Sequence, residues 1–244
     1  MKLLLDVHNH TVSSGHAYST VQEVALEASK KGLKYVGITD HGPKMPGGPH
    51  IFHIGNLKVI PDNIDGVEIL KGVEANILNK EGEMDIPERL LKGLDIVIAS
   101  LHDVCMEPSN VEEHTKALLN AMENEYVDIL GHPGNPSFPI DKEKVVLAAK
   151  KTNTLVEINN SSFSKSRKGS YKNCREIALL CKKHRVPVIV NSDSHISFDV
   201  GVFDEAIKLL EDIEMPEELI MNACIERFVD YLKEKGKARF SSRG

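Results

Sequence analysis

The sequence contains no tryptophan, and aromatic residues make up only 5% of its 244 residues. Single-stranded nucleic acid usually binds where aromatic and basic side chains are interleaved, so this scarcity argues against such a surface. The four cysteines include no C-x-x-C pair, which argues against a zinc knuckle. We expect reduced, mostly buried thiols, as in a cytoplasmic protein.

Long apolar runs and nucleotide-binding motifs are also missing. The N-terminal leucine run stops at Asp6, too early for the apolar core of a signal peptide, and no run approaches the ~20 residues that cross a bilayer. No G-x-G-x-x-G follows a predicted strand, so a dinucleotide-binding fold has no support. A net charge of −6 gives no electrostatic case for nucleic acid or an anionic membrane. We therefore expect a cytoplasmic protein that binds neither.

Short apolar runs alternate with helical patterns along the whole chain. The seven runs are residues 3–7, 34–40, 68–75, 94–100, 127–130, 154–159 and 186–190. Nearly continuous apolar strands between helices are typical of a parallel sheet that is covered on both faces. The length is near that of one α/β barrel. We expect a single domain over residues 1–244, with a frayed, charged end from about 236.

Local signals predict the connections. Thr20 and Glu23 fit a capping box at the start of the first helix. Residues 42–66 form a long connection rich in proline and glycine, which we expect to lie over the active site with a short helix within 56–64. A turn at residues 80–82 predicts a small hairpin after the third strand.

Metal-ligand residue types recur where the predicted strands end. Seven histidines and two carboxylates occupy these positions: His8, His10, His16, His41, Glu74, His102, His132, Asp193 and His195. In an α/β barrel the C-terminal strand ends share one face, which carries the active site. Alternate strand residues project to the same side, so His8 with His10 forms one pair of ligands. Imidazole with carboxylate favours Zn²⁺, Mn²⁺ or Fe²⁺, and this many ligands suits two or three ions.

The motifs around these residues, in order, resemble those of the PHP (polymerase and histidinol phosphatase) superfamily. They are Asp6-Val-His8-Asn-His10-Thr11, Ile38-Thr-Asp-His41, Gly72-Val-Glu74, Ser100-Leu-His102, Gly131-His132-Pro133-Gly134 and Ser192-Asp193-Ser194-His195. The runs most similar to the YcdX-like phosphatases are Glu157-Ile-Asn159-Asn160-Ser-Ser and Ser166-Arg167-Lys168-Gly169. The resemblance covers nearly the whole chain. It implies a distorted (β/α)7 TIM-like barrel with a trinuclear metal centre at the C-terminal face of its strands.

The resemblance also implies which residues hold each of three divalent ions. The first ion would bind His8, His10, Glu74 and Asp193; the second Glu74 (bridging), His102 and His132; the third His16, His41 and His195. We expect Zn²⁺, with Mn²⁺ or Fe²⁺ as alternatives. A hydroxide that bridges two ions would attack, so no protein nucleophile is expected.

The expected activity is that of a hydrolase, a phosphomonoesterase acting on a small phosphorylated molecule. Three divalent ions outweigh the two ligand carboxylates, so the site would attract phosphate. The planar guanidinium of Arg167 suits a phosphate clamp, although a solvated loop charge is the alternative. Two other functions stay open: a phosphodiesterase or 3′-5′ exonuclease, and a non-catalytic metal-binding module. Whether the chain forms homo-oligomers also stays open.

Five polar residues outside the ligand set receive weaker expectations. Asp40 either orients a ligand imidazole or packs in the barrel wall. Asp6 shares strand parity with the first two ligand histidines, so we expect it deeper inside the barrel. His50 and His53 either lie at the surface of their loop or line the mouth of the pocket, and His114 is expected at the surface of a helix.

Overall fold

A computed structural model describes residues 1–164 and 166–241. Its strands are β1 (Leu5–Asp6), β2 (Tyr35–Ile38), β3 (Asn63–Ile64), β4 (Val67–Asn76), β5 (Ile96–Ser100), β6 (Ile129–Leu130), β7 (Leu155–Asn159) and β8 (Val188–Asn191). Seven of them pair in parallel in the order β1-β2-β4-β5-β6-β7-β8, while β3 pairs antiparallel with β4. The predicted distorted (β/α)7 barrel is confirmed.

Helices surround this barrel. They are α1 (Val21–Lys30), α2 (Ile51–Asn56), α3 (Glu88–Leu91), α4 (Val111–Met122), α5 (Lys142–Thr152), α6 (Ser161–Ser164), α7 (Ser170–His184), α8 (Asp204–Asp212), α9 (Ile225–Glu234) and α10 (Ala238–Ser241). The predicted capping box is present, because the Thr20 side chain accepts from the Glu23 amide and the Glu23 carboxylate accepts from the Thr20 amide. Within the described residues, no helix is long and apolar enough to cross a membrane.

The inward faces of the strands change from apolar to polar toward their C-terminal ends. Along β4, Leu70 packs in the barrel interior, Gly72 follows, and the buried Glu74 lies at the top. Any side chain at position 72 would collide with Ile96, so only glycine fits at this point in the barrel interior. The same alternation therefore gives the barrel an apolar floor and a polar upper rim.

At one seam of the barrel, β1 and β8 do not pair with each other, and Asn222 lies between them. The buried Asn222 amide donates to the carbonyls of Leu5 (2.9 Å) and Val190 (2.7 Å), and its oxygen accepts from the Val190 amide (2.7 Å). Higher up, a single parallel bridge joins Asn9 to Ser194. Asn222 thus supplies hydrogen bonds that direct pairing between β1 and β8 would otherwise make.

The C-terminal segment closes the bottom of the barrel, which corrects the expected frayed end up to Ser241. Phe240 is only 1% exposed and packs in the same apolar cluster as the barrel interior. The ammonium group of Lys237 lies 2.6 Å from the buried carboxylate of Asp128. The charged composition of this segment suggested solvation, but its charges pair with the barrel floor. Residues 242–244 lie outside the described residues.

Two other local expectations change. The helical part of the 42–66 connection starts earlier than expected: α2 begins at Ile51, and the 3₁₀ turn Leu57–Val59 lies within the predicted 56–64.

The expectation that Asp6 lies inside the barrel is wrong, because Leu5 and Val7 on either side of it pack in the interior apolar cluster. The Asp6 carboxylate instead accepts from Ser192 and from the Gly201 amide. The regular alternation of β1 therefore does not continue to the candidate ligand histidines.

Replacing Asn222 with alanine should lower the free energy of unfolding by about 2–4 kcal/mol, because three buried backbone groups lose their partner. Urea unfolding followed by circular dichroism would measure this. Asn56→Ala, at an exposed position with no cap bond, is the control and should cost less than about 0.5 kcal/mol. Equal values for the two variants would contradict the role of Asn222 at the seam.

Candidate metal centre

The candidate ligands meet at the C-terminal rim of the barrel around the carboxylate of Glu74. One oxygen, Oε2, faces three imidazoles: His8 Nε2 (3.3 Å), His10 Nε2 (3.4 Å) and His41 Nδ1 (2.8 Å). The other, Oε1, faces two: His102 Nε2 (3.2 Å) and His132 Nε2 (2.8 Å). Glu74 therefore presents its two oxygens to two separate groups of imidazoles.

Asp193 supplies the second carboxylate. Its Oδ1 lies 3.2 Å from His10 Nε2 and 3.7 Å from His8 Nε2. The backbone at Asp193 has φ 55°, and that at His132 has φ 30°. Non-glycine residues in this region cost on the order of 1–3 kcal/mol each, and such strain concentrates at functional sites. The fold thus holds two candidate ligands in costly conformations that aim their side chains at the site.

Three sets of ligand atoms lie within 4.8 Å of one another in the described residues. They are His8, His10 and Asp193; His41, Glu74 and His102; and His10, His41 and His195. The first set agrees with the expected first ion. The other two sets do not match the expected second and third ions, because His41 is grouped with Glu74 and His10 is grouped with His195. Which residues hold each ion therefore stays a prediction.

His16 lies at the mouth of the site and is exposed. Its ring centroid is 4.9 Å from that of His195 and 5.1 Å from that of His41. All nine predicted ligands thus share one region, with His16 at its outer edge.

Buried atoms without partners test whether the residues fit a metal. Four side-chain atoms of this cluster are buried and make no hydrogen bond to a described residue: His8 Nε2, His10 Nε2, His41 Nδ1 and Glu74 Oε2. Leaving such an atom unsatisfied costs about 1–3 kcal/mol. The four atoms face one another, and divalent cations coordinated by their lone pairs would remove that cost. The residues fit a metal centre of the imidazole–carboxylate type.

Two buried histidines are held neutral, which is the form that binds a metal. Burial lowers the pKa of His10, and the charge of His41 lowers it further, to about 3. Burial and the charge of Arg167 lower the pKa of His132 to about 4. Both imidazoles therefore carry a free lone pair at neutral pH.

His8 lies in a corner rich in negative charge. Burial lowers its pKa, but the carboxylates of Glu157, Glu74 and Asp193 outweigh burial and raise the pKa well above its usual value. Burial raises the pKa of Glu74, but the charges of His8 and the other histidines hold it well below its usual range. This corner attracts a cation, and a metal ion would take the place of a proton on the Nε2 atom of His8.

Glu157 is a site residue that the sequence did not single out beyond its motif. It is 1% exposed and accepts from His8 Nδ1 (2.7 Å) and from the His132 amide (2.7 Å). The side-chain amides of Asn191 (2.8 Å) and Asn159 (3.1 Å) also donate to it. Its bond to Nδ1 directs Nε2 of His8 toward the candidate metal centre. The available signal was a carboxylate at an inward position of an otherwise apolar strand.

Other ligand imidazoles also have outer partners. Asn76 Oδ1 lies 2.7 Å from His102 Nδ1, and Asp85 holds the Asn76 amide at 2.6 Å. The Ser14 hydroxyl lies 3.1 Å from His10 Nδ1. These bonds fix which nitrogen of each ring faces the site.

Asp40 supports the loop that carries these groups. It is buried and accepts from Thr11, through both the amide and the hydroxyl, and from the Ser14 hydroxyl. It acts on His10 through Ser14 and does not pack merely as barrel wall. His53 Nε2 lies 3.1 Å from Asp40, and the His53 side chain stays 29% exposed.

The two other histidines of the weaker set differ in outcome. His50 is exposed, as expected, and caps α2 by accepting from the Phe52 amide. The surface position expected for His114 is wrong, because His114 is fully buried. Its Nε2 accepts from the Ser109 amide (2.6 Å), and its Nδ1 lies 3.0 Å from the Pro139 carbonyl. The helical spacing of the sequence did not predict that loop residues would pack over His114.

Arg167 is fixed beside the ligands. Its Nη2 donates to Asp193 Oδ2 (2.5 Å) and to Asn159 Oδ1 (3.0 Å), and its Nε donates to the Ser162 hydroxyl (2.9 Å). The side chain is 15% exposed, which does not fit a solvated loop charge. Lys168, by contrast, is exposed.

A pocket of about 380 Å³ opens over the ligands. Ligand side chains form its floor, while Arg167, Ser161, Ser166 and Met45 are among the residues of its walls. This volume lies in the range of small-molecule sites.

Comparisons with known proteins agree with this geometry. Residues 6–238 match the family model described as the PHP domain. The chain is 63% identical over 238 residues to a probable phosphatase of Caldanaerobacter subterraneus, covering 97% of this chain and 94% of that protein. It is 56% identical over 239 residues to a probable phosphatase of Clostridium acetobutylicum, covering 98% of each.

Solved structures share the fold at low identity. A histidinol phosphate phosphatase from Lactococcus lactis, complexed with zinc, L-histidinol and phosphate, matches with TM-score 0.57 and 17% identity, covering 85% of this chain and 92% of that one. A chain in the structure of archaeal ribonuclease P with mature tRNA matches with TM-score 0.60 and 14% identity, covering 95% and 90%. At these identities the likeness shows the fold alone.

Glu157→Gln should weaken metal binding about 10- to 100-fold, because an amide cannot accept from all four donors that surround this carboxylate. Competition with a chromogenic chelator would measure the affinity. Glu143→Gln, at a surface carboxylate that contacts Lys183 and His184, is the matched control and should leave it unchanged. Equal affinity in the two variants would contradict the role assigned to Glu157.

Proposed function

The chain belongs to the PHP domain family, and from that premise we propose that it hydrolyses phosphomonoesters of small molecules at a centre of three divalent ions. The observation that carries the proposal is the cluster of nine candidate ligands that includes Glu74 at its centre, in which four buried side-chain atoms lack partners among the described residues. The names of the relatives, probable phosphatases at 63% and 56% identity, support a phosphatase. Zn²⁺ and a cytoplasmic location belong to the same proposal.

Bound divalent ions would supply a hydroxide nucleophile at neutral pH and neutralise charge on the phosphoryl oxygens. The chain's own residues do the positioning. Glu74 presents one oxygen to each of two histidine groups, and Glu157 fixes the ring of His8. No serine, cysteine or threonine is needed as a nucleophile.

Arg167 is the proposed phosphate contact. Two of its nitrogens are held by Asp193, Asn159 and Ser162, which fixes the plane of the guanidinium. The third, Nη1, makes no hydrogen bond to a described residue, and the Arg167 side chain lines the pocket. A guanidinium held in this way loses little side-chain entropy when it binds a phosphate oxygen.

The two alternatives have less support. A phosphodiesterase or exonuclease would need a path for a polyanion, whereas the chain carries a net charge of −6 and the pocket is about 380 Å³. A non-catalytic metal-binding module would not need the fixed Arg167 beside the ligands. A small phosphorylated substrate suits the pocket volume.

Metal removal should abolish the activity. Dialysis against dipicolinate should reduce hydrolysis of p-nitrophenyl phosphate by at least about 100-fold, because the ions would provide both the nucleophile and the charge compensation. Added Zn²⁺ or Mn²⁺ should restore it. Full activity in protein shown by elemental analysis to be metal-free would rule out the proposed mechanism.

Asp193→Asn and His195→Ala should each lower the bound metal by about one ion per chain, at different positions, because the two residues are expected to bind different ions. Anomalous scattering from crystals of both variants would locate the lost ion. His184→Ala, at a surface histidine paired with Glu143, is the control and should keep all ions. Loss of the same ion in both variants would contradict the assignment.

A further inference from the structure

A second cavity lies beside α2, on the outside of the barrel. The connection between β2 and β4 carries only the six-residue α2 and the 3₁₀ turn Leu57–Val59 in place of a long crossover helix. The space left open is a groove of about 740 Å³. We call it the α2 groove, and its volume lies in the range of small-molecule sites.

The walls of the α2 groove include apolar side chains that are exposed. Phe52 is 78% exposed and Val59 is 67% exposed, and both line the groove. Ile60 and Leu90 lie beside them and are half-buried. Covering such a surface would gain about 25 cal/mol per Å² of apolar area, so an apolar ligand would bind favourably.

The charge on the walls is of one sign. The charged side chains that line the groove are Lys58 and Arg89, and no carboxylate lines it within the described residues. Neither cation makes an ion pair or hydrogen bond to a described residue, although the whole chain carries a net charge of −6. An occupant that carries a negative charge as well as an apolar body matches these walls.

In an adjoining cavity, two cationic side chains are paired with carboxylates. There Lys71 contacts Asp62, and Arg239 contacts Asp95. These cations already have carboxylate partners, so they do not compete for the anion. Lys58 and Arg89 border both cavities and lack such partners among the described residues.

Hydrogen bonds connect the α2 groove to the candidate metal centre. His53 lines the groove, and its Nε2 lies 3.1 Å from Asp40. Asp40 accepts from the Ser14 hydroxyl at 2.7 Å, and that hydroxyl lies 3.1 Å from Nδ1 of His10. A ligand that shifts His53 would therefore act on the partner of a candidate metal ligand.

We propose that the α2 groove binds a small amphipathic anion and that this binding changes how tightly the metal centre holds its ions. The apolar body lies against Phe52 and Val59, and the carboxylate, sulfonate or phosphate group is bound by Arg89 and Lys58. The coupling runs through His53 and is reciprocal, so metal binding also changes the affinity of the groove.

The first test uses 8-anilinonaphthalene-1-sulfonate, an aromatic sulfonate, titrated into the metal-loaded protein and followed by its fluorescence. We expect saturable binding that Arg89→Glu weakens at least about tenfold. Lys208→Glu makes the same charge change at an exposed position of α8 and should leave the affinity unchanged. Val59→Glu, a second exposed groove position, should also weaken binding. Equal affinity in the groove and control variants would overturn the proposal.

Arg167→Ala separates the two cavities, because Arg167 lines the pocket over the candidate metal centre and does not line the α2 groove. This variant should leave the affinity for the sulfonate unchanged. A loss of affinity as large as that in Arg89→Glu would place the probe in the catalytic pocket and overturn the assignment to the α2 groove.

The coupling is tested by the rate at which a chelator removes metal, with and without the sulfonate. We expect the probe to change this rate at least about threefold in the unmodified protein, and not in His53→Leu, which should still bind the probe. An unchanged rate in the unmodified protein would overturn the coupling, and a persistent effect in His53→Leu would overturn its route. None of these measurements uses phosphatase activity, so their failure is distinct from failure of the proposed function.

Discussion

A buried, ionised carboxylate at the top of the barrel is the constraint on which the site depends. Glu74 is 1% exposed, and five imidazoles lie within 3.4 Å of its oxygens. An isolated charge there would be costly, so positive charge must be supplied by protons or by metal ions. The outer bonds of Glu157 and the strained backbone at Asp193 serve this arrangement, because each fixes a side chain against the same centre.

The clustering of the candidate ligands could be predicted from the sequence because each follows an apolar strand, and parallel strands end at one face. The partners of those ligands could not, because they come from distant parts of the chain. Glu157 is 149 residues from His8 in sequence, and Asn222 is 217 residues from Leu5. Phe240 looked like part of a solvated end for the same reason, since its apolar cluster exists only after the barrel has closed.

The shared fold does not by itself determine chemistry. The same barrel occurs in a zinc-containing histidinol phosphate phosphatase and in a chain of ribonuclease P, both under 20% identical to this one. In this chain, the groups that could carry chemistry are the ring of candidate ligands and the fixed Arg167. The departures from a regular barrel, at the seam and at the short α2, lie outside that ring and alter the scaffold without altering the ligands.

The closure of the barrel by Asn222 and Phe240 sets an order of events during synthesis. Both residues leave the ribosome after all seven parallel strands, and the carboxylate Asp193 emerges well after His8 and His10. Until then the nascent chain has an open sheet edge and an incomplete ring of candidate ligands. The full set of these side chains can therefore meet in a closed barrel only after Asn222 and Phe240 have been synthesised.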